Sequence, residues 1–338
     1  MRRDPSRHRA RTPWRLTIVL CALVLGGCAR HEQSTLHASG AGAQRIEGLW
    51  WLMFWIAMAV FAEVMLLLGW ALWRRRRARA KIRGGDAIGG IAVLGVVIPF
   101  AILVTVYGLG LRDLNALAAP RQDPAVTVDV IGHQWWWEIR YADPAGAVTA
   151  NELHIPVGEP VRVRLRTADV QHSFWVPQLM PKTDLIAGKV NETWLQTGTA
   201  GSYRAQCAEY CGKQHAFMAL MVVAQPRADF DAWAAATAQP ATTTLTADQQ
   251  RGRAVFERSS CASCHTVRGT TATGRVGPDL TTVGSRWSIG AGAAPNDAGH
   301  LGGWIVNSQT IKPGNKMPPQ PVPAQDLQDL LSYLRSLK

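Results

Sequence analysis

The chain has 338 residues, a formal net charge of +12 and six cysteines, which is enough length for two or three compact units. The excess charge does not read as a nucleic-acid face. Arginines crowd the extreme N-terminus, and Arg74 to Arg77, Arg79, Lys81 and Arg83 form one cluster. From Arg112 to Lys338 there are 21 Lys and Arg against 19 Asp and Glu, so the bulk of the chain is nearly neutral and no nucleic-acid partner is expected.

In chain order, "RRDPSRHRARTPWR" followed by "LTIVLCALVLGGC" has the basic and then short apolar pattern of a secretory signal peptide over residues 1–27. The ending "LGGC" resembles a bacterial lipobox, with Cys28 as the lipidated first residue; an ordinary cut nearby would leave Cys28 incidental. After an outer segment over 28–48, residues 49–73 are apolar apart from Glu63, and residues 87–111 form a second apolar run. Each can cross about 30 Å of hydrocarbon. Trp50, Trp51, Trp70 and Trp73 suit the interface, and the basic stretch 74–86 predicts a cytoplasmic loop. The expectation is a transmembrane hairpin in the bacterial inner membrane, with everything after about residue 112 outside. At about 1.5 Å per residue Glu63 falls near the midplane. An ionisable side chain there is a functional candidate by default. The plainer reading is a protonated Glu bonded to a neighbouring helix.

From about residue 125 the period changes. "VRVRLR" alternates strictly, as a half-exposed strand should, and short β-rich segments recur between Gly, Pro, Asn and Asp. Residues 112–230 therefore predict a sandwich or barrel. The Ala/Thr/Pro-rich stretch 231–246 reads as a flexible linker. Residues 247–338 open with the helical pattern "ADQQRGRAVFERSS" and close with "AQDLQDLLSYLRSL".

Two constellations carry chemistry. "CASCH" is C-x-x-C-H, the covalent attachment pattern for c-type haem: Cys261 and Cys264 form thioethers and His265 is the proximal ligand. Met317, in the Pro-rich loop "IKPGNKMPP", is the expected sixth ligand; a methionine there raises the potential. His300 is the competing donor. "CAEYCGKQHAFM" packs Cys207, Cys211, His215 and Met218 into twelve residues. A disulfide is the plain reading for an exported C-x-x-x-C. Zinc would want four N/S ligands, whereas paired thiolates with a thioether favour copper. Two cysteines four apart can bridge two copper ions, and "DVQHSFWVP" supplies His172 as the second imidazole. His133 and His154 are expected to be surface or structural residues.

"DVQHSFWVP", "PKTDLIAGKVNETW", "CAEYCGKQHAFM" and "GHQWWWEIRY", with the two spans, resemble subunit II of haem–copper cytochrome c oxidase. "CASCH…GPDL…IKPGNKMPP" resembles the branch with a fused C-terminal cytochrome c. The resemblance implies a multi-domain membrane protein: a two-helix transmembrane hairpin, a cupredoxin-like Greek-key β-sandwich and an all-α class I-like cytochrome c domain. It implies that His172, Cys207, Cys211, His215, Met218 and the Glu209 backbone carbonyl hold dinuclear copper (CuA). It further implies that the Glu209 side chain reaches magnesium shared with subunit I, and that electrons enter the copper centre through Trp135. The implied partners are subunit I, subunit III, membrane lipid and an outside donor such as a cytochrome c or a quinol-oxidising complex. One departure stands out: where the family commonly has a proton-input Glu seven residues before the Pro of the second span, this chain has Ala92, which makes Glu63 on the neighbouring span the candidate for proton input. A copper-delivery or thiol-redox factor also uses C-x-x-x-C with a distant His but needs neither Met218 nor a fused haem. A nitrous oxide reductase would need a further His-rich cluster, which nine histidines spread this thinly do not supply. A quinol oxidase subunit would have no use for the copper donors.

Overall fold

The computed structural model describes residues 32–77, 89–120, 122–143 and 146–338. The expected signal peptide, Cys28 and the basic loop beyond Arg77 lie outside the described residues.

Helix α1 spans Ala41–Arg77. The second long helix runs Gly89–Ala118 and contains a π-helical turn at Val93–Val97 before helix α2, Ile98–Ala118. The widened turn sits just ahead of Pro99, whose ring and missing N–H cannot continue a regular turn. Both helices are long and apolar enough to cross a membrane. Trp55, Phe61, Leu66, Phe100 and Leu103 are exposed along them, a contiguous apolar surface that requires lipid or other helices.

The helices overrun the apolar stretches 49–73 and 87–111 at their outer ends, because those ends are built into the next domain. Asp113 is buried between Arg45 at 3.3 Å and Arg112 at 3.2 Å. The Trp194 indole N–H donates to Leu117 O at 2.8 Å, and the Ala43 N–H to Leu179 O at 3.1 Å.

The β-domain is a sandwich of two five-stranded sheets. One holds β1 (Val126–His133), β2 (Trp136–Asp143), β3 (Val148–Ala150), β5 (Val161–Thr167) and β8 (Asn191–Leu195), in the order β3-β2-β1-β5-β8. The other holds β4 (Glu152–Pro156), β6 (His172–Trp175), β7 (Thr183–Leu185), β9 (Gly201–Cys207) and β10 (Ala219–Gln225), in the order β4-β10-β9-β6-β7. This is the cupredoxin-like Greek-key arrangement. In β5, Val161, Val163 and Leu165 are fully buried while the arginines between them face out, and Arg164 grips Asp129 of the parallel neighbour β1 through two bonds of 2.7 Å. Alternating apolar residues on a pleated strand dictate this. Trp137, Ile139, Leu153 and Phe174 complete the core.

The segment expected to be a flexible linker is half helix. Helix α3 spans Arg227–Ala238 and buries Phe230, Ala234 and Thr237. Trp233 on the same helix stacks on His154, with centroids 3.9 Å apart at 7°. Apolar residues at helical spacing outweigh the Ala/Thr composition that suggested disorder. Arg268 then pins the C-terminal end of α3 by donating to Ala238 O and, in the sandwich, to Gly146 O, both at 3.1 Å.

The last domain is all-α apart from the short pair β11 (Ser288–Ile289) and β12 (Ala294–Pro295). Its helices are α4 (Ala247–Arg258), the one-turn α5 (Cys261–Cys264), α6 (Ala298–Ile311) and α7 (Ala324–Ser336). Thr246 and Gln249 form a capping box at the start of α4. Helix α4 crosses α7 so closely that a Cβ at Gly252 would lie 2.0 Å from Asp329 O; only glycine allows that approach. Phe256 packs on Tyr333 beside it.

Candidate metal centres

Strand β9 ends at Cys207 and β10 begins at Ala219. The loop between them turns at Gly212, with φ +111°, and closes with a single 3-10 turn at His215–Phe217. This fold-back brings Cys211, His215 and Met218 over the end of β9. Strand β6, which pairs with β9 through Phe174 and Cys207, carries His172 to the same place.

Cys207 Sγ lies 3.7 Å from Cys211 Sγ and 3.8 Å from His172 Nδ1; Cys211 Sγ lies 3.7 Å from His215 Nδ1 and 3.9 Å from Met218 Sδ. Glu209 O is 3.1 Å from Cys207 Sγ. The sulfur separation is far beyond the roughly 2.05 Å of a disulfide. Among the described residues, donor atoms of His172, Cys207 and Cys211 all fall within 4.8 Å of one another, and all three residues are buried.

The cluster is electrostatically prepared for a cation. The Cys211 thiol beside Cys207 stabilises the Cys207 thiolate and pulls it down to about 3, and the same proximity pushes Cys211 up. A soft metal binds both sulfurs as thiolates, so binding releases the thiol protons that remain. Burial pushes the Asp169 carboxyl up, but bonds from the His172 ring and the Gln134 and Val170 N–H groups outweigh it and hold it at about 2. Asp169 Oδ1 accepts from His172 Nε2 at 2.9 Å, which turns Nδ1 toward Cys207; such outer partners fix ligand tautomer and aim. Two sulfurs, two imidazoles, a thioether and a carbonyl suit a soft, thiolate-bridged copper pair better than zinc.

The second centre is a cavity of about 320 Å³, within the range of small-molecule sites. Cys261, Cys264, His265 and Met317 line it, with an apolar wall that includes Phe256, Leu280, Ile305 and Leu334. Both cysteines are free. His265 Nδ1–H donates to Pro278 O at 2.8 Å, leaving Nε2 for a metal, and burial holds the imidazole below its ordinary pKa. Gly277 makes room for that ring, since a Cβ there would sit 2.4 Å from His265 Cε1. The backbone of Met317 is fixed by bonds from Ser308 Oγ at 2.8 Å and to Asn315 Oδ1 at 2.8 Å. Arg286, buried and lining the same cavity, has an Nε without a protein partner. An apolar cleft with a thiol pair, an aimed imidazole, a thioether and an orphaned guanidinium N–H fits a haem with anionic side groups.

The two centres meet at Trp135. Trp135 lines the haem cavity, and its indole Nε1–H donates to Cys211 O at 2.9 Å. Trp136 and Asp169 of the β-domain line the cavity too. Lys312, ahead of Met317, is buried against the same boundary, and burial pulls its ammonium down to about 7.

Other expected residues lie elsewhere. Glu63 is exposed near the middle of α1. The Glu209 carboxylate is partly exposed and pairs with Lys182 Nζ at 3.4 Å. His300 is exposed and bonds Asp297 at the start of α6, outside the cavity lining. His133, by contrast, does line the haem cavity, where it stacks on Trp136 and bonds Glu138 at 3.1 Å. Asp169, Lys312 and Arg286 were not singled out from the sequence. The first two sit inside or beside the motifs, but nothing in spacing alone shows what a side chain will face.

Residues 146–225 match the family described as cytochrome c oxidase subunit II, periplasmic domain, and residues 249–338 match the family described as cytochrome c. The chain is 35% identical over 341 residues to cytochrome c oxidase subunit 2 of Alkalihalophilus pseudofirmus, covering 96% of each. It is 29% identical over 353 residues to that of Bacillus subtilis, covering 96% of this chain and 98% of the relative. Among solved structures, the periplasmic domain of subunit II of cytochrome oxidase from Bradyrhizobium japonicum is 30% identical, with a TM-score of 0.32, over 34% of this chain and 95% of that one.

Proposed function

Because the chain belongs to the cytochrome c oxidase subunit 2 family, and so to a haem–copper oxidoreductase complex with subunit I as partner, we propose that it is the electron-input arm that routes electrons across Trp135. When bound, haem c and dinuclear copper supply the one-electron carriers at the two centres. Cys261, Cys264, His265 and Met317 hold the haem. His172, Cys207, Cys211, His215, Met218 and the Glu209 carbonyl hold the copper. Electrons from an outside donor, a cytochrome c or a quinol-oxidising complex, arrive at the haem cavity, cross at Trp135, reach the Cys211 side of the copper cluster and pass to subunit I, where oxygen is reduced. Both domains face the periplasm, on a hairpin in the bacterial inner membrane beside subunits I and III, with lipidated Cys28 as a further anchor.

One observation carries this reading: Trp135 lines the haem cavity and hydrogen-bonds Cys211 O. The roles of the other groups follow from their surroundings. Asp169 aims His172, and the Pro278 carbonyl aims His265. In the isolated chain Lys182 occupies the Glu209 carboxylate, so magnesium there needs additional donors from subunit I.

Trp135→Phe keeps an aromatic ring but removes the indole N–H. Flash-induced haem c to copper transfer should slow by roughly tenfold, equivalent to about 1.4 kcal/mol on the barrier, with both metal spectra unchanged. An unaltered rate would remove Trp135 from the route. Glu63→Gln tests the membrane carboxylate, because it keeps the shape but cannot ionise. Slower oxygen turnover with normal haem c to copper transfer assigns Glu63 to proton input in place of the Glu absent at Ala92; wild-type turnover rules that role out, and loss of assembly in Glu63→Ala beside a normal Glu63→Gln assigns it to assembly.

A further inference from the structure

Lys312 is 3% exposed, and its ammonium donates to three carbonyls: Trp135 O at 2.8 Å, Phe217 O at 2.7 Å and Gly290 O at 2.7 Å. These use all three donors of the ammonium. The first two acceptors belong to the β-sandwich. Trp135 is the residue shared by the two centres, and Phe217 directly precedes Met218. The third acceptor belongs to the cytochrome domain. No carboxylate pairs with Lys312 among its hydrogen-bond and ion-pair partners, so the cation sits buried on three carbonyl dipoles, with the Cys211 sulfur as the nearby group that favours its charge. Burying it is costly unless each donor is satisfied, and a Met would fill the same stem volume at less cost. Besides the Arg268–Gly146 bond and a 3.5 Å ion pair of Lys316 with Asp169, further bonds cross this boundary in both directions. The Ala219 N–H donates to Ala291 O at 3.0 Å, the Trp287 N–H donates to Glu152 Oε1 at 2.6 Å, and the Gln214 amide bonds Pro313 O, next to Lys312.

We propose that Lys312 is the clamp that fixes the cytochrome domain against the copper domain, a positioning residue that ties the Met317 loop to the backbone of Trp135 and Phe217 and so holds the haem cavity on Trp135. The clamp stands on its own geometry; its consequence for electron transfer rests on the electron-input reading. The cytochrome domain is then a docked module with a set orientation, not a unit that finds the copper site by diffusing on a tether. Removing the ammonium leaves three carbonyls facing an apolar stem, and each must find water by opening the boundary.

The experiment uses the full chain with haem and copper loaded. Amide hydrogen exchange is resolved at Ala219 and Trp287, whose N–H groups cross the boundary, in wild type and in Lys312→Met. Exchange at both should quicken by about tenfold or more, equivalent to about 1.4 kcal/mol of local opening, while amides within the β1–β2 pair and in α4 and α7 keep their wild-type rates. Haem c to copper transfer should slow with both metal spectra intact. Wild-type exchange at both amides overturns the clamp, and unchanged transfer in the face of fast exchange overturns its consequence for electron transfer. If the wild-type chain itself shows no haem c to copper transfer, the electron-input reading fails, and the exchange result still decides the clamp. A second measurement needs no variant: amine-reactive labelling of the wild-type chain should spare Lys312 while modifying Lys316 in the same loop, whose side chain is 59% exposed. Labelling of Lys312 at the rate of Lys316 overturns the proposal even if Lys312→Met fails to fold.

Discussion

In the copper domain, neighbouring sulfur and imidazole donors stand 3.7–3.9 Å apart at the end of a sandwich whose own core is filled by Trp137, Leu165 and Phe174. In the cytochrome domain the donors line a cavity of about 320 Å³, and Phe256, Leu301, Leu330 and Leu334, which should form the core, line it as well. The first domain can close its apolar surface without its metal. The second is about 90 residues long and surrounds a space that only its cofactor fills, at a size where small cores are marginal. One site is mounted on a finished fold, and the other is part of the core it sits in.

The largest expected effect separates the two plans. Replacing Cys261 and Cys264 together by Ala should abolish covalent haem and unfold α4 to α7, seen as lost helical circular dichroism and rapid proteolysis after residue 246. Cys207→Ser or Cys211→Ser should abolish the mixed-valence copper signal yet leave the sandwich folded and the haem spectrum intact. A haem-free cytochrome domain that stays protected would break the comparison, and a normal copper signal in Cys211→Ser would end the bridging assignment.

Substitutions in the two cores sharpen it. Leu165→Ala, at a fully buried position of β5, should destabilise the sandwich by about 2–5 kcal/mol. Gly252→Ala must push α4 away from Asp329 O and should destabilise the cytochrome domain by about 1–3 kcal/mol. Calorimetry that resolves the two domains should show each variant shifting mainly its own transition.

The smallest effect concerns acid. Ser332 and Thr246 hydroxyls hold the Asp248 carboxyl down at about 2, in the first turn of α4. A carboxylate with a lowered folded pKa contributes stability above its unfolded value of about 3.9, and that contribution is lost as pH falls toward 2. Asp248→Asn should therefore flatten the acid limb of cytochrome-domain unfolding between about pH 4 and 2, with no matching change in the sandwich. An identical acid profile in the variant would remove Asp248 from that transition.

Much of this protein is contiguous in sequence and therefore legible there. C-x-x-C-H, the Cys207–Met218 run, the strict alternation of β5 and the two apolar stretches each express a local rule: ligand spacing, pleat period or bilayer thickness. Even so, local composition misjudged the first half of the stretch 231–246, which is helical. Trp233 and Ala234 sit at helical spacing from Phe230 but look like part of a linker until the sandwich offers Tyr141 and His154 to pack against. Tertiary structure alone decided that Asp169 aims His172, that Trp135 joins the haem cavity to Cys211, and that Lys312 spends its three donors on two domains. These are contacts between residues up to 177 positions apart. A local pattern records which face of a strand or helix a side chain takes, but not which distant backbone the completed fold will bring against it.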